Sequence, residues 1–268
     1  MTRLVLGLTL AVAACAPAHP RAPAPLDPVA LFARLAPSVV YTRASYHQGD
    51  DITVDTGVGV VIGPDGLILS SCHQLTHSDD GDRARTVEVL LAEPDPLRHT
   101  FRPSAPLVAD VIACSDQPDL GLLKLRGGDH GRVPVPLATA LPRPGEVFAV
   151  IGATHLGFLW SVQECLASGI GDQRETGTAP YGAVSPESAE ETRKGMTPGT
   201  VIQSGCHVNP MSGSPAVDAT GRIVGLHLFS RYNTDEPPEE VNYYLGADEI
   251  ERFVRPHLAP PAVAAAPR

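Results

Sequence analysis

Short apolar or alternating segments recur along this chain, and turns rich in Gly and Pro separate them. Each is too short for a typical helix and long enough for a strand. The segments are Ser38–Ala44, Thr56–Ile62, Leu67–Ser71, Val87–Ala92, Val108–Cys114, Leu120–Leu125, Glu146–Gly152, Ser161–Ser168, Thr200–Ser204, Ala216–Asp218 and Ile223–Phe229. Gly63-Pro64-Asp65-Gly66 and Ala219-Thr220-Gly221-Arg222 read as tight turns between neighbours. Regular spacing of this kind points to an all-β sandwich or barrel. A chain of 268 residues has room for one large β domain or two small lobes.

Helices are expected only at the margins. Asp27 directly precedes Pro28, which suits a helix cap followed by proline in the first turn, so a short helix is expected over Val29–Leu35. Ile250, Phe253, Val254 and Leu258 have helical spacing, and Ala247–Leu258 reads as a terminal amphipathic helix limited by Pro256. Gly171–Gly199 is polar, without a period, and reads as a long surface loop.

The first residues read as an address. Arg3 precedes the apolar run Leu4–Ala14, a charged and then apolar pattern too short to span a bilayer. Residues 1–14 are therefore read as a signal peptide and 15–27, rich in Pro and Ala, as an extended tether. Residues 28–258 form the folded domain, and 259–268 a tail. The formal net charge of -10 argues against a nucleic-acid binder, which needs a basic face.

Three local motifs carry chemistry. His73 ends the run Leu67-Ile68-Leu69-Ser70-Ser71-Cys72-His73, and Asp119 opens Leu120-Gly121-Leu122-Leu123-Lys124-Leu125. Ser212 lies in Asn209-Pro210-Met211-Ser212-Gly213-Ser214-Pro215. A serine hydroxyl is a weak nucleophile near neutral pH. It needs an imidazole to take its proton and a carboxylate to orient that imidazole.

These motifs, in this order, resemble the chymotrypsin-like serine peptidases, and most nearly the exported bacterial HtrA/Deg type and the glutamyl endopeptidases. Ala36-Pro37-Ser38-Val39-Val40 is similar to the start of the HtrA first barrel, and Gly57-Val58-Gly59-Val60-Val61-Ile62 to its glycine-rich strand. Ser212-Gly213-Ser214-Pro215 is similar to the glutamyl endopeptidase form of the serine signature. The resemblance implies an all-β fold of two six-stranded antiparallel barrels with a C-terminal helix. It makes Ser212 the nucleophile, His73 the general base and Asp119 the orienting carboxylate, with Asp116 the competing aspartate. It implies a polypeptide substrate and no metal or organic cofactor.

By the same resemblance, His227 lines the specificity pocket and faces the carboxylate of a Glu or Asp side chain, with His207 a second candidate. Leu228-Phe229-Ser230 becomes the edge that pairs with extended substrate, with Leu228 and Ser230 as binding residues. Val12-Ala13-Ala14-Cys15 resembles a bacterial lipoprotein cleavage box, implying a lipid on Cys15 and anchorage in the cell envelope. In an oxidising compartment the four other cysteines permit two disulfides in any of three pairings; no C-x-x-C pair supports zinc, the rival reading. Cys72 adjoins His73 and Cys114 lies close before Asp119, so the proposed triad favours Cys72–Cys114 with Cys165–Cys206.

One departure matters. The family holds the oxyanion with the N–H of the serine and the N–H of the residue two before it. Here that residue is Pro210, which has no N–H. Loss of one such donor typically costs about 10²–10³ in turnover. Three outcomes stay open: Met211 N–H serves with Ser212 N–H, the enzyme runs slowly on one donor, or the protein is a pseudoprotease that binds without cutting, an envelope binding or quality-control module.

Overall fold

The alternating segments pair antiparallel and close on themselves twice. In this computed structural model the described residues are 25–48, 51–76, 84–154, 157–172, 199–206, 210–233 and 239–258. The expected signal peptide, Cys15 and most of the tether, His207, the tail 259–268 and most of the Gly171–Gly199 loop lie outside them.

Helix α1 (Pro28–Leu35) starts as the sequence requires: Asp27 Oδ1 accepts from Ala30 N–H at 3.0 Å, with proline in the first turn. The first barrel contains β1 (Val39–Gln48), β2 (Asp51–Val61), β3 (Leu67–Ser70), β4 (Thr86–Asp95), β6 (Leu107–Ser115) and β7 (Leu120–Leu125). Their order is β1-β2-β3-β7-β6-β4, and β4 pairs back onto β1. The short β5 (Thr100–Pro103) hangs on β4 outside this ring. The second barrel is closed in the order β10-β13-β12-β11-β8-β9, from β8 (Val147–Gly152), β9 (Ser161–Asp172), β10 (Thr200–Ser204), β11 (Pro215–Val217), β12 (Ile223–Asn233) and β13 (Glu239–Gly246).

Two strands escaped the sequence reading. β5 is four residues long and ends in Pro103. β13 begins with Glu239-Glu240 and carries Asn242 on its buried face, which masks the apolar alternation. The C-terminal helix α2 (Ala247–Val254) is shorter than expected. The chain tightens into a 3₁₀ turn over Arg255–His257, where Pro256 cannot donate to an α-helical carbonyl.

Each barrel has its own filling, with Ile68, Val89 and Leu123 in the first and Phe148, Ile202 and Tyr244 in the second. A further cluster joins them: Leu69 and Leu120 from one side meet Ile151 and Leu226 from the other. Ile68 and Leu69 are successive residues and so face opposite ways. That is why β3 is a continuous apolar run, buried on both faces. Trp160 is 3% exposed, and its indole N–H donates across the junction to the Val39 carbonyl at 2.9 Å. Both favoured disulfides form, Cys72–Cys114 and Cys165–Cys206, each with Cα atoms 5.2 Å apart.

Candidate active site

Register brings His73 and Asp119 together. β3 pairs with β7 antiparallel, Ser70 opposite Gly121, so the end of one strand lies beside the start of the other. The chain leaves β3 into a single 3₁₀ turn, His73–Leu75, and Asp119 stands just before β7. Asp119 Oδ2 lies 2.7 Å from His73 Nδ1, and its Oδ1 accepts the His73 backbone N–H at 2.8 Å. One carboxylate therefore holds both ring and backbone of the same residue. The contact requires Nδ1 to carry the proton, which leaves the Nε2 lone pair free to act as a base. Asp119 has a φ of 57°, in the left-handed region that aspartate tolerates better than most residues. The His73 side chain is half exposed and that of Asp119 far less so. The rival Asp116 lies against the Cys72 sulfur at 3.4 Å instead.

Ser212 comes from the second barrel, in the loop before β11. Its carbonyl accepts Val58 N–H from β2 at 3.0 Å and Gln74 Nε2 from the histidine turn at 2.9 Å. The serine backbone is thus tied to the residue after His73. Gly213 follows at φ 84°, and a Cβ there would overlap the Val58 carbonyl, so only glycine fits. The Ser212 hydroxyl donates to the Leu228 carbonyl at 2.9 Å and not to the His73 ring. Leu228 is the extra residue of a bulge in β12: His227 pairs with Tyr244 and Phe229 with Tyr243. Leu228 has no Cα partner on β13. The β11 partner of β12 reaches only as far as Leu226, so among the described residues Leu228–Ser230 have no strand on that side.

Pro210 bridges to Thr154, and Met211 N–H donates to the Ala153 carbonyl at 2.8 Å. Met211 N–H, in one of the three open outcomes the substitute for the missing donor, is taken up within the fold in this conformation. Gly213 N–H donates to His227 and Ser214 N–H to Met211. Among the described residues, Ser212 N–H is the one donor of this loop without such a bond.

His227 is 1% exposed, although the sequence reading aimed it at a substrate. Its Nε2 lies 3.2 Å from both Ser230 Oγ and Asn242 Oδ1. Asn242 donates its amide to the Cys206 carbonyl at 2.8 Å and accepts the Ser230 hydroxyl at 2.5 Å. Asn242 Oδ1 is thus an acceptor, so His227 Nε2 is the protonated nitrogen. The half-buried Ser230, not His227, meets solvent here. Asn242 was missed because its strand was missed. Gln74 was missed although it adjoins His73, because its burial is not visible in the sequence.

Two closed barrels of six strands, with histidine, aspartate and serine at their junction, make the chymotrypsin-like serine peptidase fold. The chain belongs to the trypsin-like peptidase domain family, which it matches over residues 57–226. It is 22% identical over 227 residues to "Serine protease HTRA1" of Xenopus laevis and equally to that of Xenopus tropicalis. Each match covers 82% of this chain, but the chain spans only 41% of the length of those relatives. Among solved structures it is similar to the active form of the Rv3671c protease from M. tuberculosis, with a TM-score of 0.62 at 19% identity. That match covers 93% of this chain and 97% of the other. The inactive form of Rv3671c matches with a TM-score of 0.58 at 19% identity, over 87% of this chain and 97% of the other.

Proposed function

We propose that the protein is an exported serine endopeptidase that cuts extended polypeptide with Ser212, His73 and Asp119. The reading is carried by the 2.7 Å contact between His73 Nδ1 and Asp119, with the imidazole half exposed beside the serine loop. In the reaction, Ser212 Oγ attacks the scissile carbonyl and its proton passes to His73 Nε2. The imidazolium, held by Asp119, gives that proton to the leaving amine as the C–N bond breaks. Water then attacks the acyl ester by the same proton route, and the acid leaves with the serine restored. The serine hydroxyl must first turn away from Leu228. Catalytic hydrogen bonds are often absent before substrate arrives.

Substrate main chain pairs with the open side of Leu228–Ser230, which favours extended over folded polypeptide. The residue preceding the cut is Glu or Asp. Ser230 and the imidazole of His227 behind it support this, together with the likeness of the serine motif to glutamyl endopeptidases. Two disulfides fit an oxidising compartment, and the N-terminal pattern supports export with a lipid on Cys15.

Pro210 and the Met211–Ala153 bond favour a second reading, a barrel that binds polypeptide and cuts it slowly or not at all. A fluorophosphonate probe separates the two. Labelling that disappears in Ser212→Ala supports the peptidase; folded wild-type protein that takes no label supports the binder. Peptide libraries then read specificity, and cleavage after basic or aromatic residues with none after Glu or Asp would reject the acidic pocket.

A further inference from the structure

Gln74 is 7% exposed, and every polar atom of its side chain is used at the junction of the barrels. Its amide nitrogen donates to the Ser212 carbonyl at 2.9 Å, across a separation of 138 residues. Its Oε1 receives the Ser70 hydroxyl at 3.5 Å, a weak contact, since that hydroxyl bonds the Val58 carbonyl at 2.7 Å. Its own carbonyl accepts Tyr46 O–H at 3.3 Å. The carboxamide lies over Gly57, where any Cβ would fall within it. Gly57 is thus the floor on which Gln74 rests, and Val58 beside it supplies the second donor to the same serine carbonyl.

We infer that Gln74 is a positioning residue for the nucleophile. It shares a 3₁₀ turn with His73 and grips the backbone of Ser212, so one turn of the first barrel sets both partners of the proton transfer. The inference rests on the proposed roles of Ser212 and His73. Its chemical reason is local. Pro210 has no N–H and Met211 N–H is bonded to Ala153, so the orientation of the Ser212 main chain carries more of the oxyanion stabilisation than in a loop with two donors. A carbonyl has two lone pairs, and here Val58 and Gln74 use both.

The test is the rate of fluorophosphonate labelling, with thermal melting to verify the fold. Gln74→Ala is expected to label about tenfold more slowly than wild type, the loss that follows from removing one neutral hydrogen bond of ordinary strength. Gly57→Ala, which displaces the carboxamide without touching it chemically, is expected to lose a similar factor. The double variant is expected to be no slower than Gly57→Ala alone, because both changes break one contact.

Gln74→Glu supplies a readout that a merely structural role would not move. A buried carboxylate cannot donate to the serine carbonyl, but its protonated form can, so labelling relative to wild type should rise as pH falls. Among the described residues, the titratable groups around it are His73, with Asp119 behind the ring, and Tyr46. A carboxylate acting only through its charge would hold His73 protonated to higher pH and drive the ratio the other way. Well-folded Gln74→Ala that labels at the wild-type rate overturns the inference, as does a Gln74→Glu ratio that is flat or falls toward low pH. If Gln74→Ala does not fold, the glutamate series decides. If wild type itself takes no label, the peptidase reading fails and the inference falls with it. If wild type labels and the Gln74 variants match it, only the inference fails.

Discussion

At the scale of single residues, Asp119 performs two tasks with two oxygens: Oδ2 faces the ring of His73 and Oδ1 accepts its backbone N–H. Asn at this position keeps one acceptor and presents an amide donor in place of the other. To satisfy both contacts the imidazole must adopt the opposite tautomer, with Nε2 protonated and unable to take the serine proton. Asp119→Asn is therefore expected to lower the fluorophosphonate labelling rate by about 10⁴ with little change in melting temperature, as in the same substitution in a related triad. Labelling within tenfold of wild type would remove Asp119 from the mechanism. Asp119, His73 and Ser212 could be singled out in the sequence because each sits in a local motif beside a strand. Gln74 was not, because nothing local says that its partner lies in the other barrel.

Among the elements, the turn into β8 is an electrostatic device. The Glu146 carboxylate accepts Arg143 N–H at 2.9 Å and Arg143 Nε at 2.7 Å. The backbone N–H of Arg143 first, and then its side chain, hold the Glu146 carboxyl below the usual range. A depressed folded pKa contributes stability that is present above the unfolded pKa and lost as pH falls through the folded one. Glu146→Gln should therefore melt below wild type at pH 7, and the gap should close as pH drops through the acidic range. Solvent limits the gap to about 1 kcal/mol or less, since the pair is exposed. A gap independent of pH between 7 and 3 would contradict this origin. Strand β12 shows what pattern alone misses at this scale. The run through Leu228 reads as an uninterrupted strand, yet the bulge there turns a carbonyl toward Ser212.

At the scale of the whole molecule, the apolar cluster between the barrels is as buried as their interiors, so the two are expected to unfold together. Trp160, on the second barrel, donates its only polar hydrogen to Val39 of the first. Trp160→Phe keeps an aromatic ring but leaves that buried carbonyl without this donor. A loss of about 1–3 kcal/mol is expected in urea unfolding, in a single transition seen alike by near- and far-ultraviolet circular dichroism. Two separated transitions would mean that the barrels unfold independently. Both disulfides stay within a barrel, and among the described residues the contacts across the junction are packing and hydrogen bonds.

The sequence by itself determined the class of fold, the order of the three chemical residues, and the capped helix that precedes the first strand. These depend on periodicity, turn residues and adjacency, which are properties of neighbours along the chain. It also pointed to both disulfide pairings, because each half of the first lies close to a motif. Tertiary structure alone decided where each hydrogen bond goes. Met211 bonds Ala153, Ser212 turns to Leu228, His227 is buried behind Ser230, and Gln74 reaches from one barrel to the other. A buried donor takes the acceptor that closure of two barrels brings to it, and no local pattern encodes that meeting.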